Sequence, residues 1–253
     1  MLSKNKIKLI RSLEHKKHRL ETGLFVAEGN KLVADILPFF GCELLVAKPS
    51  WIATQGDLRV RELVIAEDKD ITGASLLKTP QDVIAVFTRP KRYLDKESLK
   101  NKLTLVLDGI QDPGNLGTII RLANWFGIRN VICSPDTADV YNPKAIQAGM
   151  GSIAHVDVFY ESLPEWLDEL EGIPVYGTFL DGKILYEEKL PSTGLIVMGN
   201  EGNGIRPEVE QRITNRLYIP NFPQGGASTE SLNVAVATAI VCGEFRRQQV
   251  YAG

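Results

Sequence analysis

Three segments of the sequence combine glycines with side chains that bind or polarise ligands, and each follows a run of apolar residues typical of a buried strand. The segments are residues 108–121 with Asn115 and Arg121, residues 197–205 with Glu201, and residues 219–233 with Ser231 and Asn233. Ligands of open α/β sheets bind at the carboxyl ends of the strands. Amide, carboxylate, hydroxyl and guanidinium groups at such ends are suited to orienting a ligand and stabilising charge that develops on it.

Each segment also has a purely structural interpretation. Asn115 stands where a residue caps a helix, and Thr229 or Ser231 stands in the same position before the last predicted helix. Arg121 lies among apolar residues and is long enough to extend its charge to solvent. The glycines of the second segment permit a tight turn. They form neither the dinucleotide-binding fingerprint, because Arg206 and a proline intervene, nor a P-loop, because no Gly-Lys-Ser/Thr follows.

The elements that hold these segments alternate between strands and helices in the second half of the chain. Apolar runs predict strands at residues 103–107, 131–133, 156–159, 175–179, 195–198 and 217–219. Helices are predicted at residues 116–126, 144–150, 164–170, 207–213 and 231–246. Near-continuous apolar strands that alternate with helices indicate an α/β fold with a parallel sheet covered on both faces.

The first half also has an α/β pattern, and it begins with a cluster of positive charge. Predicted strands at residues 24–27, 42–47 and 83–87 accompany a helix at residues 29–40. Residues 1–20 contain seven Lys or Arg against one Glu. Residues 89–102 are rich in charge, which favours either a solvated linker or an RNA-facing surface. We expect a small α/β domain at residues 1–92, a linker at residues 93–102 and a second domain at residues 103–253.

Composition excludes several classes of protein. The chain has 253 residues and a formal net charge of −2, so its total charge indicates no nucleic-acid partner. Cys42, Cys133 and Cys242 form no CxxC pair, which argues against a disulfide framework or a cysteine zinc site. No signal peptide or apolar run of membrane-spanning length is evident, so we expect a cytoplasmic protein without membrane contact. His15 and His18 lack further ligands, and we expect no metal.

In their order and spacing, the three segments resemble the motifs of the SpoU/TrmH family, which are S-adenosylmethionine-dependent RNA ribose 2′-O-methyltransferases of the SPOUT class. The resemblance rests on Asn115 with Arg121, on Gly199-Asn-Glu201-Gly, and on Ser231-Leu-Asn233-Val. It covers residues 103–248. More loosely, the first part resembles the small substrate-binding domain often fused ahead of the catalytic domain. The segment before Ser231 is longer than the family pattern, so no role is carried over to residues 221–230.

The resemblance implies a C-terminal SPOUT fold with a deep trefoil knot, an S-adenosyl-L-methionine cofactor, an rRNA or tRNA substrate, and a homodimer with the site near the subunit interface. It implies catalytic or positioning roles for Asn115, Arg121, Glu201, Ser231 and Asn233. It also implies cofactor contacts by backbone groups near Gly199, Ile219 and Leu232. Within the basic cluster, Lys16, Lys17 and Arg19 are expected to contact RNA phosphates.

We interpret Arg121 as a clamp on the adjacent phosphate and a stabiliser of the ribose alkoxide. A guanidinium with a pKa above about 12 is a poor base. Two alternatives remain: a SPOUT enzyme that methylates a base nitrogen, and a non-catalytic RNA-binding protein that keeps the fold. Arg121 and the Ser231-Leu-Asn233 motif favour ribose, and the intact set of polar residues favours an enzyme.

Overall fold

The computed structural model describes residues 2–222 and 231–251. Contacts group these residues into two compact units. One comprises residues 2–91 with Asp139–Ala154, and the other comprises Arg92–Ala138 with residues 155–222 and 231–251. The predicted domain boundaries stay a prediction. Two segments, however, pack in a different unit from the one that these boundaries would give them. Residues 139–154 pack within the first unit, and Leu99 of the predicted linker is fully buried in the core of the second.

The first unit is built on a four-stranded mixed sheet. Its strands are β1 (Leu24–Glu28), β2 (Cys42–Ala47), β3 (Leu63–Ile65) and β4 (Val83–Thr88), in the order β1-β4-β2-β3. Strand β4 is antiparallel to both of its neighbours, and β3 is parallel to β2. The helices are α1 (Lys4–Ser12), α2 (Lys16–Thr22), α3 (Asn30–Ile36), α4 (Pro49–Ile52), α5 (Asp68–Ala74) and, from the inserted segment, α7 (Pro143–Gly149).

The core of the first unit forms where one face of the sheet meets α1 and α5. Val26, Val46 and Val86 point into the same cluster, and Ile10 and Leu13 cover them. Burying a side chain of this size contributes about 1.5–3 kcal/mol. The apolar residues of the basic N-terminal segment therefore hold it to the sheet, while its lysines remain at the surface.

The second unit contains a six-stranded sheet in which every pairing is parallel, as predicted. Its strands are β5 (Leu103–Leu107), β6 (Asn130–Cys133), β7 (Asp157–Tyr160), β8 (Val175–Ile184), β9 (Gly194–Met198) and β10 (Asn215–Tyr218). The helices are α6 (Pro113–Trp125), α8 (Leu163–Asp168), α9 (Pro207–Glu210) and α10 (Val234–Tyr251). Short 3₁₀ helices cover Glu97–Asn101 in this unit and Ser152–Ala154 in the first.

The strand order β10-β8-β9-β5-β6-β7 reverses between β5 and β9. From β5 the chain moves outward through β6 and β7, whereas β8, β9 and β10 lie on the other side. Both central strands are buried at every residue. A reversal of this kind opens a crevice outside the carboxyl ends of the two strands, where α/β proteins bind ligands. The first and second polar segments both begin at this point.

The edge of the sheet at β10 is irregular. Arg216 pairs with Gly177 of β8, but the next residue, Leu217, pairs with Lys183. Residues 178–182 therefore leave the ladder between these two pairings. Gly182 lies so close to β10 that a Cβ there would be 2.6 Å from the carbonyl carbon of Leu217. Only glycine permits so close an approach of the two backbones.

Within residues 2–222 and 231–251, no helix combines the length and the apolar character needed to span a membrane.

Candidate active site

The first polar segment leads into α6, and Asp112 caps the N-terminus of this helix. The Asp112 carboxylate accepts the backbone N–H of Asn115 at 2.9 Å, and Pro113 occupies the first turn. Proline is favoured there because its missing N–H is not needed. Asp112, rather than Asn115, is thus the N-cap. The side chain of Asn115 is left available for contacts beyond its own helix.

A chain of hydrogen bonds joins one residue from each of the three segments. The side-chain amide of Asn115 donates to the Glu201 carboxylate at 2.6 Å, and the amide of Asn233 donates to the Asn115 carbonyl oxygen at 3.1 Å. These residues are 86 and 118 positions from Asn115 in sequence. A hydrogen bond to a charged acceptor is about twice as strong as a neutral one. Glu201 therefore fixes the orientation of the Asn115 amide, and the Asn115 oxygen receives Asn233.

The third segment ends by capping α10 with Asn233. The Asn233 side-chain oxygen accepts the backbone N–H groups of Ala235 at 2.9 Å and Val236 at 3.3 Å. The cap expected at Ser231 or Thr229 is thus supplied by Asn233 instead. Ser231 is exposed just ahead of the helix, and Thr229 lies outside the described residues. Asn233 has two tasks, since its oxygen caps the helix and its nitrogen reaches Asn115.

The glycine-rich second segment is a closed loop. Asn200 and Gly204 exchange two backbone hydrogen bonds of 2.9 Å, and the side-chain oxygen of Asn200 accepts the N–H groups of Gly202 and Asn203. Gly199 lies against the returning backbone, so that a Cβ there would be 2.3 Å from the carbonyl carbon of Gly204. The loop therefore requires glycine at position 199 and presents Glu201 near its tip.

Arg121 lies apart from this hydrogen-bonded chain. Six residues of α-helix carry it about 120° round the axis from Asn115. Its side chain is exposed, and Trp125, one turn further along the same face, exposes 83% of its surface. The structure thus brings Asn115, Glu201 and Asn233 together within one chain, but does not bring Arg121 to them.

One pair of residues at the site is not evident from the sequence motifs. Asp108 directly follows β5 and its side chain is 0% exposed, yet it is ionisable. Arg206, which follows the glycine loop, donates to it from the backbone N–H, from Nε at 2.8 Å and from Nη2 at 2.5 Å. The hydrogen bond to Asp108 raises the pKa of Arg206 further above its already high value. An acidic residue at the end of a fully buried, mainly apolar strand is the signal that indicates such a partner.

The three residues expected to contact the cofactor lie on the carboxyl edge of the sheet. Gly199 follows β9, Ile219 follows β10, and Leu232 precedes α10. Leu232 exposes 47% of its surface, Ile219 is half-buried, and Gly199 has no side chain. An adenosyl group has apolar ring faces and polar ring edges, which suit apolar side chains and backbone amides. The residues present therefore fit the implied cofactor.

Among the described residues, no group of three or more His, Cys, Asp or Glu is arranged to hold a metal ion. The three cysteines are free and buried. Burial raises the pKa of Cys42 and of Cys242 to about 12, so these thiols stay protonated near neutral pH and are poor nucleophiles.

The basic residues of the first unit divide into exposed and buried groups. Lys16 and Lys17 are exposed, as an RNA contact requires. Arg19 corrects the expectation, because only 1% of it is exposed. Its Nε and Nη2 atoms both lie 2.8 Å from Asp139, and Nη1 donates to the carbonyl oxygens of Leu13 and Glu14. A guanidinium that is buried and engaged in this way is not accessible to a phosphate, so Arg19 acts as a structural residue.

Comparison with known families and proteins gives matches over nearly the whole chain. The profile of the SpoU rRNA Methylase family matches residues 102–243, and that of the MRM3-like substrate binding domain matches residues 4–85. Over 246 residues the chain is 35% identical to the 23S rRNA (guanosine(2553)-2′-O)-methyltransferase RlmP of Bacillus subtilis, which covers 95% of this chain and 96% of that protein.

Two solved structures are similar over nearly their whole length. A protein from Porphyromonas gingivalis, described as a putative RNA methyltransferase of the TrmH family, has a TM-score of 0.89 and 45% identity, covering 98% of this chain and 99% of that one. An rRNA methyltransferase from Sinorhizobium meliloti, solved with bound S-adenosylmethionine, has a TM-score of 0.83 and 30% identity, covering 99% of this chain and 97% of that one.

Proposed function

The chain belongs to the SpoU rRNA Methylase family, and from this premise we propose that it transfers a methyl group from S-adenosyl-L-methionine to a ribose 2′-hydroxyl of rRNA. The observation that carries the proposal is the hydrogen-bonded chain of Glu201, Asn115 and Asn233, which joins all three polar segments at the reversal of the sheet. When bound, the cofactor supplies an electrophilic methyl group on a sulfonium.

The residues of the chain then have to orient the ribose hydroxyl and stabilise it as its proton leaves. In this proposal the Asn115 and Asn233 amides position the ribose, and Glu201 holds the Asn115 amide in the required orientation. Ser231, exposed ahead of α10, offers a further hydroxyl for the ribose. The proton leaves through the adjacent phosphate or water.

Arg121 acts on the phosphate and the developing alkoxide. Its guanidinium carries a fixed positive charge and a planar fork of donors, which match a phosphate group. Its position on an exposed face with Trp125 suggests that a second copy of the chain covers this face. We therefore expect Arg121 to act at the interface between two subunits.

A homodimer is supported by further apolar surface beside α6. Helices α6 and α10 pack against each other, and Arg246 of α10 donates to the carbonyl oxygens of Phe126 and Gly127 just beyond α6. Val236 at the start of α10 is 50% exposed, like Trp125 on its neighbour. Exposed apolar residues of this size on two packed helices favour a protein interface.

We also propose the deep trefoil knot that membership of the family implies, with the irregular β8–β10 edge as a place where two backbone segments come into contact. Residues 178–182 leave the β8 ladder between the pairings of Arg216 and Leu217, and Gly182 permits the backbones to touch.

The first unit is proposed to bind the RNA substrate. Its α1 helix carries Lys4, Lys8 and Arg11, which are exposed and recur at the spacing of one helix face. With Lys16 and Lys17 they form a surface whose charge complements a phosphate backbone. The rRNA substrate and three unpaired thiols fit the reducing cytoplasm.

The test is methyl transfer from labelled S-adenosylmethionine to rRNA, followed by digestion and nucleoside analysis. We expect the label in a 2′-O-methylated nucleoside. Label in a methylated base would favour the alternative of a base methyltransferase, and binding of rRNA without any transfer would favour a non-catalytic RNA-binding protein.

A further inference from the structure

The Asp108 carboxylate is buried between two loops of the second unit and is held by one residue. Arg206 approaches it with three donors, the backbone N–H at 2.8 Å, Nε at 2.8 Å and Nη2 at 2.5 Å. A buried charge is costly unless it is paired and hydrogen-bonded. Asp108 therefore fixes the residue that ends the glycine loop. Asp136 lies 3.5 Å from the same Nη2 atom and adds a second, weaker attraction.

The next residue, Gly109, fixes the beginning of the same loop. The Asn200 side-chain amide donates to the Gly109 carbonyl oxygen at 2.7 Å. Gly109 has a φ of +72°, and its N–H donates to the buried hydroxyl of Ser134 at 2.9 Å. Two consecutive residues after β5 thus hold both ends of the loop that contains Glu201.

Glu201 directly follows Asn200, and its carboxylate meets Asn115 on the helix that follows Asp108 and Gly109. The two loops are consequently joined at three points: Asp108 to Arg206, Gly109 to Asn200, and Asn115 to Glu201. The first two contacts involve none of the proposed catalytic residues, whereas the third is made by two of them, Asn115 and Glu201. A shift of about 1 Å at a catalytic group can reduce the rate about 10²-fold.

We propose that Arg206 and Asp108 are positioning residues for methyl transfer: their buried pair holds the glycine loop so that Glu201 meets Asn115. This inference rests on the proposed function. Neither side chain needs to touch RNA or cofactor for this role. The pair acts through the loop backbone, because Arg206 uses its own N–H as well as its guanidinium to hold Asp108.

The second unit offers a control in a second Arg–Asp pair, whose carboxylate is more exposed than that of Asp108. Arg212 binds Asp168 through the same two nitrogens, with Nε at 2.8 Å and Nη2 at 2.5 Å from the two carboxylate oxygens. In the Arg206 pair both nitrogens instead donate to one oxygen of Asp108. The Arg212–Asp168 pair joins the end of α8 to the segment after α9, and the hydrogen bonds of Arg212 go to Asp168 and to the Glu208 carbonyl oxygen. Breaking it removes an arginine fork but leaves the glycine loop intact.

The experiment compares Arg206→Lys, Arg206→Met and Asp108→Asn with Arg212→Met in the full-length chain. For each variant we would measure thermal unfolding, the affinity for S-adenosylmethionine, the KM for rRNA, and the single-turnover rate of transfer per folded molecule. Lysine keeps the positive charge but cannot reproduce the two contacts that Nε and Nη2 make to Asp108. We expect Arg206→Lys and Asp108→Asn to lower the rate by about 10²-fold, with the KM for rRNA unchanged. Arg212→Met should keep the wild-type rate.

A folded Arg206→Lys or Asp108→Asn protein that transfers methyl groups as fast as Arg212→Met would overturn the inference, whatever its melting temperature. If Arg206→Met does not fold, the other two variants decide, because both keep a hydrogen-bonding group at the altered position. Absence of transfer by the wild-type protein would instead contradict the proposed function. The two failures are therefore distinguishable.

Discussion

The Asn115 amide donates to the Glu201 carboxylate at 2.6 Å across 86 residues of sequence. An amide side chain has a donor end and an acceptor end of nearly the same shape, and a carboxylate accepts only from the donor end. Glu201 thus selects one of two orientations of Asn115 and leaves the oxygen to accept from Asn233. In our account the carboxylate acts by orienting its neighbours rather than by removing a proton.

Replacing Glu201→Ala should therefore lower the rate of methyl transfer more than it lowers cofactor affinity. Without the carboxylate the Asn115 amide is free to turn, and the geometry at the ribose is lost at a cost of about 10²-fold in rate. The measurement is single-turnover transfer to rRNA beside calorimetry of cofactor binding. Glu208→Ala, an exposed acid in the first turn of α9, is the control and should behave as wild type. Equal rates for the two variants would remove Glu201 from the site.

Arg121→Ala should lose transfer while it keeps cofactor affinity and its fold. Removing one donor that stabilises developing negative charge typically costs about 10²–10³ in rate. Because the side chain is exposed in the single chain, its loss should leave the fold of each subunit intact. Arg129→Ala, an exposed arginine of the same unit that pairs with Asp157, serves as the control.

Arg121→Lys adds a test of the mechanism. An ammonium cannot reproduce the fork of a guanidinium, so rescue should be poor across the pH range. A pH–rate profile with a limb moved toward the lysine pKa would show that the side chain acts as a base, contrary to our assignment. Normal turnover in a folded Arg121→Ala protein would exclude a catalytic role altogether.

Gly199→Ala should weaken cofactor binding. The new Cβ would lie 2.3 Å from the carbonyl carbon of Gly204, so the loop has to open. We expect about a tenfold loss of affinity, which corresponds to about 1.4 kcal/mol. Gly202→Ala is the matched control, since its Cβ meets only Asn200 Oδ1 at 3.6 Å. If titration calorimetry gives the same affinity for both variants, the cofactor does not depend on this loop.

The exposed lysines and the buried arginine of the basic cluster should respond differently to alanine. Lys16→Ala with Lys17→Ala should weaken RNA binding and flatten its dependence on salt, by about 0.7 in log–log slope for each lost contact to single-stranded RNA. Arg19→Ala leaves Asp139 buried without its partner, which costs about 3–5 kcal/mol in unfolding free energy. Binding titrations over a salt series and thermal unfolding measure the two effects. An unchanged salt slope in the lysine variant would show that Lys16 and Lys17 are solvated surface residues that do not contact RNA.

Much of the second unit follows from its sequence because buried parallel strands are continuous apolar runs. The strand predicted at residues 103–107 is observed as Leu103–Leu107, and the end predicted for 195–198 is also observed. Strand β8 extends to Ile184, five residues beyond the prediction. Its second part pairs with β10 and is polar and partly exposed, so it lacks the apolar pattern on which the prediction rests. The last helix begins at Val234 instead of residue 231 because Asn233 provides the cap.

Short elements of the first unit were less predictable. The edge strand β3 exposes Leu63 and Ile65, so its alternation does not mark a core face. Helix α5 has seven residues and depends on Asp70, whose carboxylate accepts the backbone N–H groups of Glu67 and Leu2. The second contact joins residues 68 positions apart and has no signature in the local sequence.

In the candidate site, too, features with a local sequence pattern were predictable and features that depend on distant residues were not. The segments that contain Asn115, Glu201 and Asn233 could be predicted from the sequence, because each lies between a predicted strand and a predicted helix. Types and spacing of residues do not distinguish Arg19 from Lys16, since burial of Arg19 depends on Asp139, 120 residues away. The pair of Asp108 and Arg206 spans 98 residues and is evident only when the sheet brings β5 and β9 together.

The central claim is that this chain methylates a ribose of rRNA with the groups described. Its most direct test is a nucleotide-resolution map of 2′-O-methylation in total RNA from cells that contain the wild-type protein, lack it, or contain Glu201→Ala. We predict that one rRNA position loses its ribose methyl group in the second and third cases and regains it when the wild-type protein is restored. Identical ribose methylation in all three, or a methyl group lost from a base instead, would contradict the account.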